Sequence, residues 1–284
     1  MTTRSFLRMN PLSELSVIVI TRNEAGNIGE CLRSVAFAGE RIVVDSQSTD
    51  RTCDIAASSG ARVVRTDDWP GFGVQKNRAL ALARGSWVLS LDADERVSDE
   101  LAASISSIVA CGAAAEKAGE PVGYTISRLS SFCGQAMRHG DWYPDRVLRL
   151  FRRGRARFSD DRVHERVIVD GRVGRLRGEL LHDSVPSLDD ALDKMNRYTS
   201  GRALDRLGQG AKGSLARGLA HGAWAFVRGY GLKRGFLDGR LGLVLALHIA
   251  ETTYYRYLKM WLLQRAPPAA QIASDCRMTR TDRR

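Results

Sequence analysis

The chain has 284 residues, 44% of them hydrophobic, and a formal net charge of +11. That length holds one large domain, or one domain with a helical appendage, and the composition suits a globular core rather than a disordered or fibrous chain. Five scattered cysteines, odd in number and without C-x-x-C spacing, read as reduced cytosolic thiols rather than as a disulfide framework or a zinc site.

The first strand is Leu15–Ile20, a β-branched run. Before it, Met1–Asn10 holds two arginines and no apolar segment, so it does not read as a secretory signal. Asn27-Ile28-Gly29-Glu30 reads as a capping box, with Ile28, Leu32 and Val35 following at helical spacing. A second strand covers Arg41–Asp45, a short helix Thr49–Ser59, a third strand Ala61–Thr66 and a helix Val74–Arg84. The fourth strand, Trp87–Leu91, precedes a helix that starts at Ser98. Strands separated by short helices mean βαβ units and a parallel sheet covered on both faces.

Polar residues collect where three of these strands end: Thr21-Arg22-Asn23-Glu24, Asp45 to Asp50, and Asp92-Ala93-Asp94-Glu95. Parallel strands bring all three groups to one sheet edge, where open α/β sheets bind ligands. Neither G-x-G-x-x-G nor G-x-x-x-x-G-K-[ST] occurs, which argues against a dinucleotide-binding domain and a P-loop. If the fourth strand stays extended, Asp92 and Asp94 share a side. Two close carboxylates repel, and a hard divalent cation carried by a phosphorylated substrate meets that repulsion. The plain alternative is a polar turn that caps the helix from Ser98.

These segments, with Gly73-Val74-Gln75-Lys76-Asn77, resemble family-2 glycosyltransferases of the GT-A fold in order and spacing over residues 14–110. Gly140-Asp141-Trp142-Tyr143-Pro144-Asp145, Arg149 to Arg153 and Val163-His164-Glu165 extend the likeness toward lipopolysaccharide-core β-1,4-glucosyltransferases. The resemblance implies an α/β GT-A fold: a Rossmann-like, mostly parallel central sheet with helices on both faces, followed by a helical region. It implies a catalytic domain over 14–185, with 14–110 binding the nucleotide sugar and 111–185 the acceptor. It also implies a UDP-sugar donor and a Mn2+ or Mg2+ cofactor. Thr21, Asn23 and Glu24 would line the nucleoside pocket. Asp45 would meet the base or ribose, or else cap the next helix. Lys76 would sit near the pyrophosphate, or else be a surface lysine. Asn77 would hold nearby loops or ribose. Asp92 would face ribose or metal, and Asp94 would bind the metal directly. His182 would complete the metal site or be structural.

An inverting transfer also needs a base for the acceptor hydroxyl. Asp141, Asp145, Asp161 and Glu165 are the candidates; Glu165 in the V-H-E segment leads and Asp145 follows. Trp142 and Tyr143 offer an aromatic face to a sugar, or belong to the core.

Charge is uneven along the chain. Residues 1–142 hold 15 basic and 17 acidic side chains, and residues 143–284 hold 28 and 15. Arg146, Arg149, Arg152, Arg153, Arg155 and Arg157 suit phosphate recognition, as in an acidic lipopolysaccharide acceptor, unless they form a solvated turn. No nucleic-acid-binding motif accompanies them, so that partner is set aside. Residues 186–266 read as helical: Ser187-Leu188-Asp189-Asp190 opens a capped helix with Leu192, Met195 and Tyr198 on one face. Aromatics and cations interleave over 215–232 and 241–263, the pattern of a peripheral membrane element at the inner face of a bacterial inner membrane, or of a packed helical subdomain or oligomer interface. Residues 267–284 read as a disordered basic tail. Two further readings stand beside the lipopolysaccharide transferase: transfer to a polyprenyl-phosphate lipid or protein, and a non-catalytic nucleotide-sugar-binding scaffold.

Overall fold

The computed structural model describes residues 12–111, 119–159 and 166–265. Glu165, Asp161, His164 and the basic tail lie outside the described residues, as does the Met1–Asn10 segment. The chain divides into two compact units: residues 1–130 with 144–184, and residues 131–143 with 185–284.

The first unit alternates as its sequence predicts. Strand β1 (Leu12–Thr21) leads to α1 (Ile28–Ser34), β2 (Ala38–Ser46), α2 (Thr52–Ser58), β3 (Arg62–Thr66), α3 (Phe72–Leu82), β4 (Trp87–Asp92), β5 (Glu95–Val97) and α4 (Asp99–Cys111). Strands β6 (Gly123–Phe132), β8 (Asp145–Arg152), β9 (Ala156–Phe158), β10 (Val167–Val169) and β11 (Val173–Val185) follow, while the short β7 (Gln135–Ala136) between β6 and β8 belongs to the second unit. The main sheet runs β3-β2-β1-β4-β8-β6-β11-β5, with β7 beside β6, and β9 and β10 form a separate ribbon. The strands β3, β2, β1 and β4 are parallel; β8 pairs antiparallel with both β4 and β6, and β5 antiparallel with β11. Strands β6 and β11 run in the same direction, Val122 bonding to Arg172, Thr125 to Gly174 and Cys133 to Val185.

Strand β1 is buried on both faces, and alternation assigns each side chain to one of two cores. Leu15, Val17 and Val19 pack with Ile28 and Leu32 of α1 and with Leu101, Ile105 and Val109 of α4. Ile18 and Ile20 pack instead with Ala79 of α3 and with Phe151 and Phe158. The α/β expectation with helices on both faces therefore holds.

Local details differ from the expectations. The capping box at Asn27 does not form: Asn27 is helical in ψ (−42°), and its amide donates to Glu24 at 2.9 Å instead of capping. The expected Thr49 start of α2 moves to Thr52, because the Asp50 carboxylate takes the Thr52 N–H at 3.0 Å. Strand β4 does not stay extended through the acid cluster. It ends at Asp92, turns at Ala93–Asp94, and returns as β5, which pairs antiparallel with β11.

The second unit is helical: α5 (Leu188–Gly208), α6 (Leu215–Phe226) and α7 (Gly239–Leu263), with a π-turn at Val227–Leu232 and a 3-10 turn at Gly235–Asp238 between the last two. Ser187 caps α5 by accepting the Asp190 N–H at 3.1 Å. The face holding Leu192 and Tyr198 stays exposed, and α5 buries Ala191, Thr199 and Ala203 instead. On that side Lys259 of α7 reaches across to donate to Asn196, Thr199 and Ser200. On α6, Gly222 faces α7 so closely that a Cβ would lie 3.1 Å from the Ala250 carbonyl oxygen. Among the described residues, no helix is long and apolar enough to cross a membrane.

Candidate active site

The carboxyl ends of β1, β2 and β4 meet at one edge of the first unit, where register sets Thr21 beside Asp45 and Ile20 beside Asp92. The first two loops are stitched together. Asn23 sits at φ +56°, a conformation asparagine tolerates, and its side-chain oxygen accepts the Thr49 N–H at 2.8 Å. The Glu24 N–H donates to Thr52 Oγ1 at 2.8 Å. Asp45 is buried and accepts from Thr21 Oγ1 at 3.1 Å, from Ser48 N–H at 3.0 Å and from the Ser48 hydroxyl. Its carboxylate thus anchors the loop that follows β2.

Helix α3 brings two more of the expected residues to this edge. Lys76 is 3% exposed, so it is not a surface lysine; its ammonium lies 2.9 Å from Asp92 Oδ1 and 5.8 Å from the Phe158 ring centroid. Asn77 donates to the Phe158 carbonyl at 3.0 Å and accepts the Phe158 N–H at 2.9 Å, which fixes β9 beneath the edge. One turn before Lys76 stands an exposed edge-to-face pair, Trp69 and Phe72, with centroids 4.9 Å apart.

Asp92 is the start of a chain of alternating charges. Its Oδ2 meets Arg149 Nη2 at 2.5 Å, and the same nitrogen lies 2.6 Å from Glu95 Oε1. Arg128 is 3.5 Å from Glu95 and 2.6 Å from Asp145 Oδ2. Glu95 Oε2 also accepts the Asp92 N–H at 2.9 Å. Burial alone would raise the Asp92 pKa, but Arg149 and Lys76 outweigh it and hold the carboxyl well below its ordinary value. Glu95 goes the other way: burial raises it, Arg149 opposes, and the Asp92 charge adds to the rise. One guanidinium serves two carboxylates, and the one that also has a lysine keeps its charge more firmly.

The sequence does not single out Arg128, and it reads Glu95 only as part of the acid cluster and Arg149 only as part of the arginine run, not as partners of Asp92. The available signal was Arg149 inside the apolar run Val147–Phe151, since an arginine in a buried strand demands a buried acid. The arginine run is also not one surface. Arg149 and Arg152 point inward, Arg152 over the Trp87 ring at 4.8 Å, while Arg146, Arg153 and Arg157 are exposed.

Asp94 separates from Asp92. Its Oδ2 lies 3.3 Å from His182 Nε2, with the two side chains 28% and 15% exposed. The β5–β11 pairing sets His182 opposite Glu95, and the Asp183 N–H donates to the Asp94 carbonyl at 3.0 Å. Ser130 Oγ, 2.9 Å from His182 Nδ1, fixes the ring. The pair offers one carboxylate oxygen, the donor that Mn2+ and Mg2+ prefer, and one imidazole nitrogen, a donor foreign to Mg2+. Among the described residues no three His, Cys, Asp or Glu side chains converge as a metal cage.

Of the four base candidates, Asp161 and Glu165 lie outside the described residues. Asp145 is bound by Arg128 through Nε at 2.9 Å and Nη2 at 2.6 Å. Asp141 belongs to the second unit, where Arg228 Nη2 and Lys233 Nζ hold it at 2.8 and 3.0 Å. In the same unit Trp142 packs edge-to-face on Phe132 at 5.8 Å, the core reading of that residue.

The Asp141 cluster gives a pH prediction. Burial raises its pKa, but hydrogen bonds from Arg228 and Lys233 lower it further, and the net direction is below the ordinary 3.8. A lowered folded-state value stabilises the fold above the unfolded pKa and loses that contribution as pH falls. Asp141→Asn is expected to cost about 1 kcal/mol at neutral pH, a modest figure because both cations are half exposed and screened. In thermal melts the gap between the two proteins should narrow below pH 3.8; a gap constant down to strong acid would refute the pairing.

The profile described as "Glycosyl transferase family 2" matches residues 16–109. The lipopolysaccharide core biosynthesis glycosyltransferase LpsC of Rhizobium meliloti (strain 1021) is 30% identical over 262 residues, 88% of this chain and 95% of that protein. An uncharacterized glycosyltransferase of Rickettsia typhi is 30% identical over 259 residues, 88% of this chain and 87% of that one. The low-salt glycan biosynthesis hexosyltransferase Agl6 of Haloferax volcanii is 41% identical over 87 residues, 28% of this chain and 21% of that one. Edge loops stitched from β1 and β2, acids at the end of β4 and this sequence likeness agree, and the chain belongs to glycosyl transferase family 2.

Proposed function

We propose that the chain is an inverting transferase that moves a hexose, glucose, from UDP-glucose to an inner-core lipopolysaccharide acceptor at a membrane surface. The observation that carries this is the pair of separate carboxylate environments at the end of β4: Asp92 neutralised by Lys76 and Arg149, and Asp94 set against His182. The name of the LpsC relative supports the acceptor class, and that of the Agl6 relative supports a hexose.

Each residue has a task in this reading. The stitched loops carrying Thr21, Asn23, Glu24 and Asp45 would form a rigid wall for the nucleoside. Asn77 keeps β9 in place. Lys76 and Arg149 place positive charge where the diphosphate would lie, and Asp92 orients both.

Asp94 and His182 would hold Mn2+ or Mg2+. Two protein donors suit an ion that arrives with the diphosphate and draws its other ligands from phosphate and water. Bound there, the ion would take up charge on the departing UDP. Asp92 is the weaker ligand candidate, since Lys76 and Arg149 occupy its two oxygens. Glu165 is the proposed base. Asp145 serves less well, because two nitrogens of Arg128 already occupy its carboxylate.

Calorimetry of the full chain with UDP and with GDP, each with and without manganese, tests the reading. Manganese-dependent binding of UDP alone is expected. Folded protein that binds neither nucleotide would overturn it.

A further inference from the structure

The α6–α7 connector and its flanks gather ten of the chain's exposed large apolar side chains between Leu215 and Leu247. The two helices run antiparallel, with Gly218 against Tyr257 and Gly222 against Ala250, so residues 227–238 form one tip of a helical hairpin. At that tip Val227, Leu232, Phe236 and Leu237 face solvent, with Leu232 66% and Leu237 54% exposed. Trp224 on α6 and Val244 on α7 are exposed as well. The tip is a folded structure: Tyr230 stacks on Phe226 at 5.4 Å and meets Phe236 at 6.2 Å, and a Cβ at Gly235 would lie 2.8 Å from the Gly229 carbonyl oxygen.

Charge decides what such a surface fits. Residues 212–247 hold six Lys and Arg and a single acid, Asp238. Asp238 is turned inward, where it accepts from His139 N–H at 2.9 Å and pairs with the His139 ring at 2.7 Å. Arg234 and Arg240 are exposed beside the apolar tip. A second copy of the chain would bring the same positive face and be repelled. An anionic bilayer offers the complement: acyl chains for Leu232, Phe236 and Leu237, and phosphate headgroups for the cations.

We infer that the 224–247 corner is an interfacial anchor that inserts Leu232, Phe236 and Leu237 into the headgroup layer of an anionic membrane. This rests on the lipid-linked acceptor proposed above, which must be met at such a surface.

The test is flotation of the full chain with phosphatidylglycerol-containing vesicles and with pure phosphatidylcholine vesicles. The expected result is salt-sensitive binding to the first and weak binding to the second. Leu232→Ser with Phe236→Ser should lower binding by about tenfold, and Arg234→Glu with Arg240→Glu by a similar factor. UDP binding by calorimetry should be unchanged in both variants, which shows that they are folded. Their transfer to a water-soluble, lipid-free core oligosaccharide should also be unchanged. Wild-type protein that stays off anionic vesicles would overturn the anchor, as would binding indifferent to both variants. So would a dimer in light scattering that Leu232→Ser with Phe236→Ser dissolves, because a second copy would then own the surface. Vesicle binding without any sugar transfer would instead count against the transferase reading and leave the anchor standing.

Discussion

Arg149→Met is expected to remove about 3 to 5 kcal/mol of stability, the cost of deleting one partner of a buried ion pair. That is a large share of a typical total of about 5–15 kcal/mol. Glu95 is fully buried, and without Arg149 its remaining cation among the described residues is Arg128 at 3.5 Å. Asp92 would keep Lys76 at 2.9 Å and suffer less. The loss should therefore trace to the stranded Glu95 charge. Arg149→Met combined with Glu95→Gln should recover more than half of it, since a neutral amide needs no counter-ion. Arg149→Lys should recover part, because a single nitrogen of Arg149 bridges both carboxylates and an ammonium could do the same at shorter reach. Urea denaturation of the four proteins measures this. A single variant that loses less than about 1 kcal/mol would show that the two carboxylates do not depend on Arg149.

Much of the fold was legible because it is written in local periodicity. Val17 and Val19 alternate with Ile18 and Ile20, and that alternation alone announces a strand covered on both sides. The end of β4 was legible for the opposite reason: three acids in four positions have no use in folding that propensity can explain. The partners of those acids were not legible. Arg149 lies 54 residues from Glu95, and only the antiparallel return of β8 beside β4 brings the two together. The same distance hid the separation of Asp92 from Asp94. An extended strand would have placed them on one side, but pairing of β5 with β11 turns the chain at Ala93 and gives Asp94 to His182. In the helical unit the pattern located the helices but not the buried face of α5, which turns Thr199 toward Lys259 of α7 and leaves Tyr198 exposed. Side-chain competition also defeated the Asn27 cap, where Glu24 offered a nearer acceptor.

Asp94→Asn is expected to lower sugar transfer by about 10²- to 10³-fold, the usual cost of removing one group that stabilises developing charge. The fold should be indifferent. Asp94 and His182 form a partly exposed pair whose net worth is about 0–1 kcal/mol, so the melting temperature should move by no more than about 2–4 °C. His182→Ala should weaken transfer as well, and the double change should cost little more than Asp94→Asn alone, because both residues would hold the same ion. The nucleotide readout separates this role from that of the base. Asp94→Asn should abolish the manganese dependence of UDP binding, whereas Glu165→Gln should leave it intact and stop turnover only. Ser130→Ala should fall between wild type and His182→Ala, since it frees the imidazole to rotate without removing it. Full transfer by Asp94→Asn, with UDP binding still responsive to manganese, would move the ion away from Asp94. Asp92 would then be the remaining carboxylate at the end of β4, and it could serve only by giving up Lys76 or Arg149.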